Sequence, residues 1–181
     1  ADPYSETRLA LQELPRVSKR HRAAVWLAWR LQDPLLQLTK VDPARLRLGS
    51  YQRELPQDAL ETALSEAVSA AVAERGVDVW NSHEKFLLCL PGIDGKLAKA
   101  ILELRNEGKL SSRKELLEAL RALAPENQLR QALGYLRLYE SPQPLDGTRI
   151  HPDDYRLAER LIAGNHFPSP PSAPEHWKKP T

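Results

Sequence analysis

The stretch Leu90–Ile101, LPGIDGKLAKAI, constrains the fold more than any other part of this sequence. Apolar residues at helical spacing lie on both sides of it, and Pro91 and Gly92 interrupt the first of these runs. Proline cannot continue a helix, and glycine accepts backbone angles that a side chain forbids. We therefore predict two helices joined by a tight turn, in which Gly92 and Gly95 supply the conformational freedom.

Such a turn creates an anion site at the start of the second helix. The first amides of a helix have no partner within it, and they lie at the positive end of the helix dipole, where a phosphate is stabilised. Two lysines one turn apart add positive charge beside that site. The predicted contacts are the backbone N–H groups of Gly92, Ile93 and Gly95 and the side chains of Lys96 and Lys99.

This pattern resembles the helix-hairpin-helix motif, whose hairpin binds a nucleic-acid backbone without reading bases. The motif carries Gly-hydrophobic-Gly, whereas this sequence has Gly92-Ile93-Asp94. Aspartate tolerates the left-handed conformation better than most residues do. We therefore expect Asp94 to preserve the turn, and its carboxylate to repel a phosphate. The alternative interpretation is a tight helical turn that serves packing alone.

The charge balance requires any nucleic-acid contact to be local. The chain carries 26 basic and 24 acidic residues, so it has no strong overall field. Six basic residues and two acidic ones lie between Lys96 and Lys114. If folding brings them to one side, a wider basic surface would consist of Arg105, Lys109, Arg113 and Lys114. A second basic cluster is interpreted as a solvated helix face; it comprises Arg16, Lys19, Arg20 and Arg22.

Helical periodicity covers most of the chain. The run from Pro56 to Gly76 carries apolar residues at i, i+3 and i+4 spacing, which predicts a long amphipathic helix with a glycine at its end. The stretch 77–81 is interpreted as a connector, and a later helix is predicted from Glu126 to about Tyr139. Serine before a helical run is typical of an N-cap, and we predict such caps at Ser5, Ser18, Ser82 and Ser112.

No stretch alternates apolar and polar residues as a half-buried strand does. The predicted fold class is therefore all-α, a multi-helix bundle that contains tandem helix-hairpin-helix motifs. The aligned second turn, Leu123–Asn127, contains no glycine and carries the acidic Glu126. The second motif is thus predicted to be degenerate, a structural repeat that does not bind phosphate.

The residue patterns that several functional classes require are not found in this sequence. The lone cysteine, Cys89, lies in an apolar run and is interpreted as a small buried hydrophobic residue, which indicates a reducing, cytoplasmic setting. We expect no cofactor, no metal site and no membrane segment. A glycosylase, a metal-dependent nuclease and a serine hydrolase each need residues that we do not find, so we expect no catalysis. The sequence contains no methionine, and we expect it to be a piece of a longer protein.

Seven stretches, in the right order between Tyr4 and Gly164, resemble the family of the bacterial transcription accessory protein Tex, which is related to a eukaryotic histone-chaperone transcription elongation factor. They surround the hairpin region on both sides. The stretches are LQDPL at 31–35, VDP at 41–43, LGSYQ at 48–52, GVDV at 76–79, NS at 81–82, QALGYLRL at 131–138 and PLDGTRIHP at 144–152.

The resemblance implies a domain organisation. Residues 1–32 would be N-terminal helices, equivalent to the trailing part of an RNase-H-like domain in the family. Residues 33–81 would be a linker and a long helix, and residues 82–140 a helix-hairpin-helix pair. Residues 141–164 would be an exit loop with a C-terminal helix, and residues 165–181 a flexible Pro-rich tail. By this resemblance, we expect no part of the family's C-terminal OB-fold RNA-binding domain within this sequence.

The same resemblance implies a nucleic-acid-binding scaffold associated with transcription, located with the nucleoid. We expect a non-catalytic, sequence-independent module that binds DNA or RNA backbone through its hairpin, with RNA polymerase or other transcription proteins as further partners. The alternative is a helical protein-interaction scaffold with little affinity for nucleic acid. The two alternatives differ in salt dependence, because backbone binding weakens steeply as salt rises and apolar contacts do not.

Overall fold

The computed structural model describes residues 3–46 and 49–164 and positions 166, 168 and 170. Most of the predicted Pro-rich tail lies outside the described residues, as do Arg47 and Leu48. The chain forms two compact units, Ala1–Ala71 and Val72–Thr181, which we call the N-terminal and the C-terminal unit. The segment boundaries predicted from the sequence remain predictions.

The structure is mostly helical, as predicted. Its helices and strands, in chain order, are α1 (Arg8–Glu13), α2 (Lys19–Gln32), α3 (Pro34–Leu38), α4 (Gln57–Arg75), β1 (Val77–Asp78), α5 (Glu84–Leu87), α6 (Gly95–Asn106), α7 (Arg113–Leu120), α8 (Glu126–Leu133), β2 (Leu136–Arg137) and α9 (Tyr155–Ala163). Short 3₁₀ turns occur at Pro43–Leu46, Ser50–Arg53, Pro144–Gly147 and Pro152–Asp154.

Local capping explains where several helices begin and end. Ser18 and Ser112 cap α2 and α7 through their side-chain oxygens, as predicted. Gly76 follows α4 with φ +80°, a left-handed conformation that favours glycine. The predicted caps at Ser5 and Ser82 are wrong.

Two other residues cap the helices α1 and α5. Thr7 caps α1 by accepting from the N–H of Ala10 at 3.1 Å. His83 caps α5, because its ring accepts from the N–H of Phe86, whereas Ser82 is buried and donates its hydroxyl to the carbonyl oxygen of Val79 at 3.0 Å. A hydroxyl turned inward to a preceding carbonyl is not available to the helix that follows.

The core of the N-terminal unit is aromatic. The rings of Tyr4 and Trp26 stack with centroids 5.5 Å apart. Lys40, 4% exposed, lies over the ring of Trp29 at 4.8 Å and forms an ion pair with Glu13 at 2.7 Å. Burial lowers the pKa of Lys40 despite this partner. The two α2 tryptophans thus serve packing in this core.

The C-terminal unit contains a short parallel strand pair that sequence reasoning did not predict. Val77 pairs with Leu136 and Asp78 with Arg137, and the N–H of Val77 donates to the carbonyl oxygen of Tyr135 at 2.8 Å. Parallel strands require a crossover connection, and here helices α5 to α8 form it. The pair therefore joins the entry and the exit of the hairpin region. It also ends α8 at Leu133, several residues before the predicted end.

Candidate functional site

The turn between α5 and α6 depends on Gly92 for two separate reasons. Gly92 has φ +82°, a conformation that side chains rarely adopt. A Cβ atom there would lie 3.1 Å from the carbonyl oxygen of Gln128 in α8. The side-chain amide of Gln128 donates in turn to the carbonyl oxygen of Gly92 at 2.9 Å. Gly92 therefore makes the turn possible and lets it pack closely on α8.

Gly95 has neither property, which corrects the sequence interpretation. It is the first residue of α6, and its φ does not lie in the left-handed region. A Cβ atom at this position would meet no other atom within 4 Å. The freedom that the turn requires thus comes from Gly92 alone.

Asp94 adopts a different conformation from the left-handed one we predicted. Its backbone is extended, with φ −97° and ψ 179°, and its side chain caps α6. Oδ1 of Asp94 accepts from the N–H groups of Lys96 and Leu97, both at 2.9 Å. Aspartate is among the preferred N-cap residues because its oxygen satisfies such amides. Two of the first amides of α6, which were not among the predicted contacts, are therefore occupied by the protein's own carboxylate.

The three predicted backbone donors have different surroundings. Ile93 is buried, and its N–H donates within the turn to the carbonyl oxygen of Leu90 at 3.3 Å, so its assignment as a phosphate contact is wrong. The N–H groups of Gly92 and Gly95 have no hydrogen-bond acceptor among the described residues. They remain candidates for contact with an anion.

Lys96 and Lys99 lie exposed on the first turns of α6. Neither forms an ion pair with any carboxylate in the described part of the chain. An unpaired ammonium on an exposed helix face keeps its charge available for an external anion. These two lysines are the strongest cationic candidates next to the turn.

Arg113 does not belong to a basic surface, and its assignment there is wrong. It is 1% exposed, and its guanidinium points into the C-terminal unit. The guanidinium donates at 2.6 to 2.9 Å to backbone carbonyl oxygens, those of Leu136, Thr148 and Ile150. Arginine presents five N–H donors in a rigid fork. Here they fasten residues 141–154, which precede α9 and which we call the exit segment, to the start of α7.

Asp146 and Tyr155 complete this buried network. Asp146, in the exit segment, accepts from the backbone N–H of Arg113 at 2.9 Å and from the hydroxyl of Ser141 at 2.7 Å. The Tyr155 hydroxyl donates to Asp146 and accepts from Arg113, both at 2.7 Å. Burial and the Asp146 carboxylate raise the pKa of Tyr155. In the sequence the segment PLDGTRIHP stands out only by its resemblance, and its pairing with Arg113 is visible only in three dimensions.

The remaining residues of the predicted basic surface have different environments. Arg105 donates to the carbonyl oxygen of Ser82 at 2.6 Å, and burial lowers the pKa of its guanidinium. Lys109 is exposed and forms an ion pair with Glu107 at 2.8 Å. Lys114 is exposed and forms no ion pair with the described carboxylates. The predicted wider surface thus loses Arg113 to the core, and Arg105 is committed to a backbone contact.

The helix that follows the turn between α7 and α8 begins with an acidic residue. Pro125 precedes α8 and offers no side-chain cap. Glu126, at the first position of α8, forms an ion pair with Arg130 at 2.9 Å, and Arg130 also pairs with Asp153. A carboxylate at the helix start disfavours an external phosphate there.

A separate apolar groove lies along α9. It has a volume of about 690 Å³, and its lining residues include Leu145, Ile150, Leu157, Leu161, Ile162 and Pro170. No residue of α9 is buried, and Leu157 is 55% exposed. The groove is therefore an open apolar surface of the C-terminal unit.

Asp78 is a buried carboxyl in the C-terminal unit. Burial raises the pKa of Asp78 to about 6, although Asn81 and the backbone N–H of Trp80 donate to its carboxylate. Among the described residues, no three side chains of the metal-binding types lie close enough to share an ion. No helix in this part of the chain has the length and apolarity that crossing a bilayer requires.

The fold and site thus define a mostly helical segment with one tight, glycine-dependent helical hairpin that carries two exposed lysines. No family model matches the chain. It is 36% identical over 164 residues to the transcriptional accessory protein Tex of Neisseria gonorrhoeae, and 34% identical over 163 residues to the protein tex of Bordetella pertussis. Each match covers 90% of this chain, and 21% and 20% of the respective relatives.

The chain is therefore homologous to one segment of the Tex transcription accessory proteins, as its resemblance predicted. It is also 26% identical over 211 aligned positions to the human S1 RNA-binding domain-containing protein 1, again across 90% of this chain and 21% of the relative. The chain spans about a fifth of the length of these relatives.

Proposed function

We propose that this segment is a non-catalytic, sequence-independent nucleic-acid-binding module of a Tex-like transcription accessory protein. In this proposal the α5–α6 hairpin acts as a helix-hairpin-helix motif and contacts the phosphate backbone of DNA or RNA. The observation that carries the proposal is the pair of exposed, unpaired lysines, Lys96 and Lys99, directly after a turn that Gly92 makes possible. Homology to a transcription accessory protein supports the setting.

The contact in this proposal is small. The N–H groups of Gly92 and Gly95 and the two lysine side chains can reach one or two phosphates. Each neutralised phosphate contributes a slope of about −0.7 to −0.9 to log K against log salt. We therefore expect weak binding that is lost as salt rises, with a total slope between about −0.7 and −1.8. Transcription proteins, including RNA polymerase, would be the partners of the whole protein.

A fluorescence-anisotropy titration tests this function. Labelled single-stranded and double-stranded DNA and RNA are titrated with the full chain at several salt concentrations. The double variant Lys96→Gln/Lys99→Gln should bind at least about fivefold more weakly at low salt, because each exposed cation near a phosphate contributes roughly 0.5–1 kcal/mol.

The matched control changes the same net charge elsewhere. Arg16 and Arg20 are exposed in the N-terminal unit, and the double variant Arg16→Gln/Arg20→Gln should bind within about twofold of the wild type. Equal losses in both double variants would show that overall charge, rather than the hairpin, attracts the polymer. No binding of the wild type to any of the four probes at low salt would refute the proposed function.

The apolar groove along α9 favours a second candidate function, a protein-interaction scaffold. An open apolar surface of this size is typical of a site that receives another apolar segment. In this case association with a transcription protein would persist at salt concentrations that abolish backbone binding. Leu157→Asp would weaken that association and leave the anisotropy titration unchanged.

A further inference from the structure

We propose that Asp94 is a built-in competitor of phosphate at the α6 N-terminus and limits how strongly the hairpin holds a nucleic-acid backbone. This inference rests on the proposed function, because it concerns the same turn. It adds a regulating residue to the site, one that acts on the ligand through charge and through occupancy of the donors.

The first step is occupancy. The N–H groups of Lys96 and Leu97 are the second and third amides of α6, and both donate to the same oxygen of Asp94 at 2.9 Å. A phosphate seated at a helix N-terminus uses these amides. A carboxylate that already accepts both hydrogen bonds excludes a phosphate oxygen from the same position.

The second step concerns the donors that remain. The amides of Gly92 and Gly95 have no acceptor within the described chain, and the side chains of Lys96 and Lys99 are exposed and unpaired. A phosphate near the turn is therefore held from the outside by lysine charge and by single amides. It does not sit in the helix terminus.

The third step is repulsion. Asp94 is exposed at the tip of the hairpin, so its charge acts on a phosphate that approaches the lysines. At a separation of roughly 6 Å and with an effective dielectric of about 40 to 80, as for exposed groups in contact with water, one unit charge changes binding by about three- to tenfold. Asp94 thus keeps the contact weak, and a neutral residue with the same capping ability would strengthen it.

Asp94→Asn is the sharpest test, because asparagine caps a helix about as well as aspartate and carries no charge. The probe is a fluorescein-labelled oligo-dT strand at low salt. We expect the variant to bind about three- to tenfold more tightly than the wild type. The gain should disappear when Lys96→Gln and Lys99→Gln are added. Circular dichroism melts establish that each variant is folded, and Asp94→Ser, a second uncharged cap, should reproduce the gain.

A matched control separates the local effect from overall charge. Asp58 is exposed in the first turn of α4 and belongs to the N-terminal unit. Asp58→Asn makes the same change in net charge and should alter affinity by less than about 1.5-fold.

The outcomes distinguish this inference from the function on which it rests. Tighter binding by Asp94→Asn than by a wild type that itself binds supports the inference. Equal affinities of the wild type and both Asp94 variants, with loss in the lysine double variant, overturn the inference and leave the proposed function intact. No binding by the wild type or by either Asp94 variant overturns both.

Discussion

Replacing Arg113 with methionine should lower the free energy of unfolding of the C-terminal unit, while leaving the charge pattern of its surface almost unchanged. The guanidinium of Arg113 is buried and donates to the carbonyl oxygens of Leu136, Thr148 and Ile150 and to the hydroxyl of Tyr155. Methionine has a similar length and no donor. The substitution therefore leaves buried acceptors without partners. The exit segment loses the side-chain part of its attachment to α7, while the backbone N–H of residue 113 still donates to Asp146.

The magnitude follows from those contacts. A hydrogen bond to a charged donor contributes about 1.5–3 kcal/mol, and a buried acceptor left without a donor costs about 1–3 kcal/mol. In the wild type, the cost of removing the guanidinium from water already offsets part of the free energy that these hydrogen bonds contribute. The net loss of stability on substitution is therefore smaller than the sum of the hydrogen bonds. We therefore expect Arg113→Met to lower the free energy of unfolding by about 3–5 kcal/mol.

The assay is urea denaturation followed by far-UV circular dichroism, and the adjacent residue provides the control. Lys114 is exposed and forms no ion pair with the described carboxylates, so Lys114→Met should change stability by less than about 0.5 kcal/mol. A loss below about 1 kcal/mol for Arg113→Met, with an unchanged denaturant slope, would refute the structural role assigned to this guanidinium.

Two further predictions concern the turn and the strand pair. Gly92→Ala should lower the free energy of unfolding by about 1–3 kcal/mol in thermal or urea denaturation, because the residue has φ +82° and a Cβ would lie 3.1 Å from the carbonyl oxygen of Gln128. Gly95→Ala should be neutral or slightly stabilising, because a Cβ there would have no atom within 4 Å. Equal losses in the two variants would contradict the different roles assigned to these glycines. The pKa of Asp78 is raised from 3.8 to about 6, so its protonated form stabilises the fold at low pH, and this contribution is lost as pH rises through 6. The stability of the wild type relative to Asp78→Asn should therefore fall by about 2–3 kcal/mol between about pH 4 and pH 7, and a difference that does not change with pH would show that this carboxyl is not buried as described.

Much of the local structure could be read from the residues. Ser18 and Ser112 cap the helices that their positions indicated, and Gly76 ends α4 in the left-handed conformation. Apolar periodicity identified α4, because a repeat of 3.6 residues over several turns has no other common explanation. These are short-range features, because residues close together in the sequence determine them.

The strand pair shows why other features were missed. Val77 and Leu136 lie far apart in the sequence, and each strand has only two residues, too few for an alternating pattern to show. Ile93 illustrates the same limit at the site, since one residue in a turn can point its N–H outward or back to Leu90. The choice depends on how the turn packs.

The sequence by itself determined that this chain is helical, that a glycine-dependent turn joins α5 and α6, and that two lysines follow that turn. Only the tertiary structure decided that Arg113 is buried. The reason is physical. From its neighbours in the sequence alone, a charged side chain is predicted to lie on the surface. It can be buried only where distant segments supply its hydrogen-bond partners, as the exit segment does for Arg113.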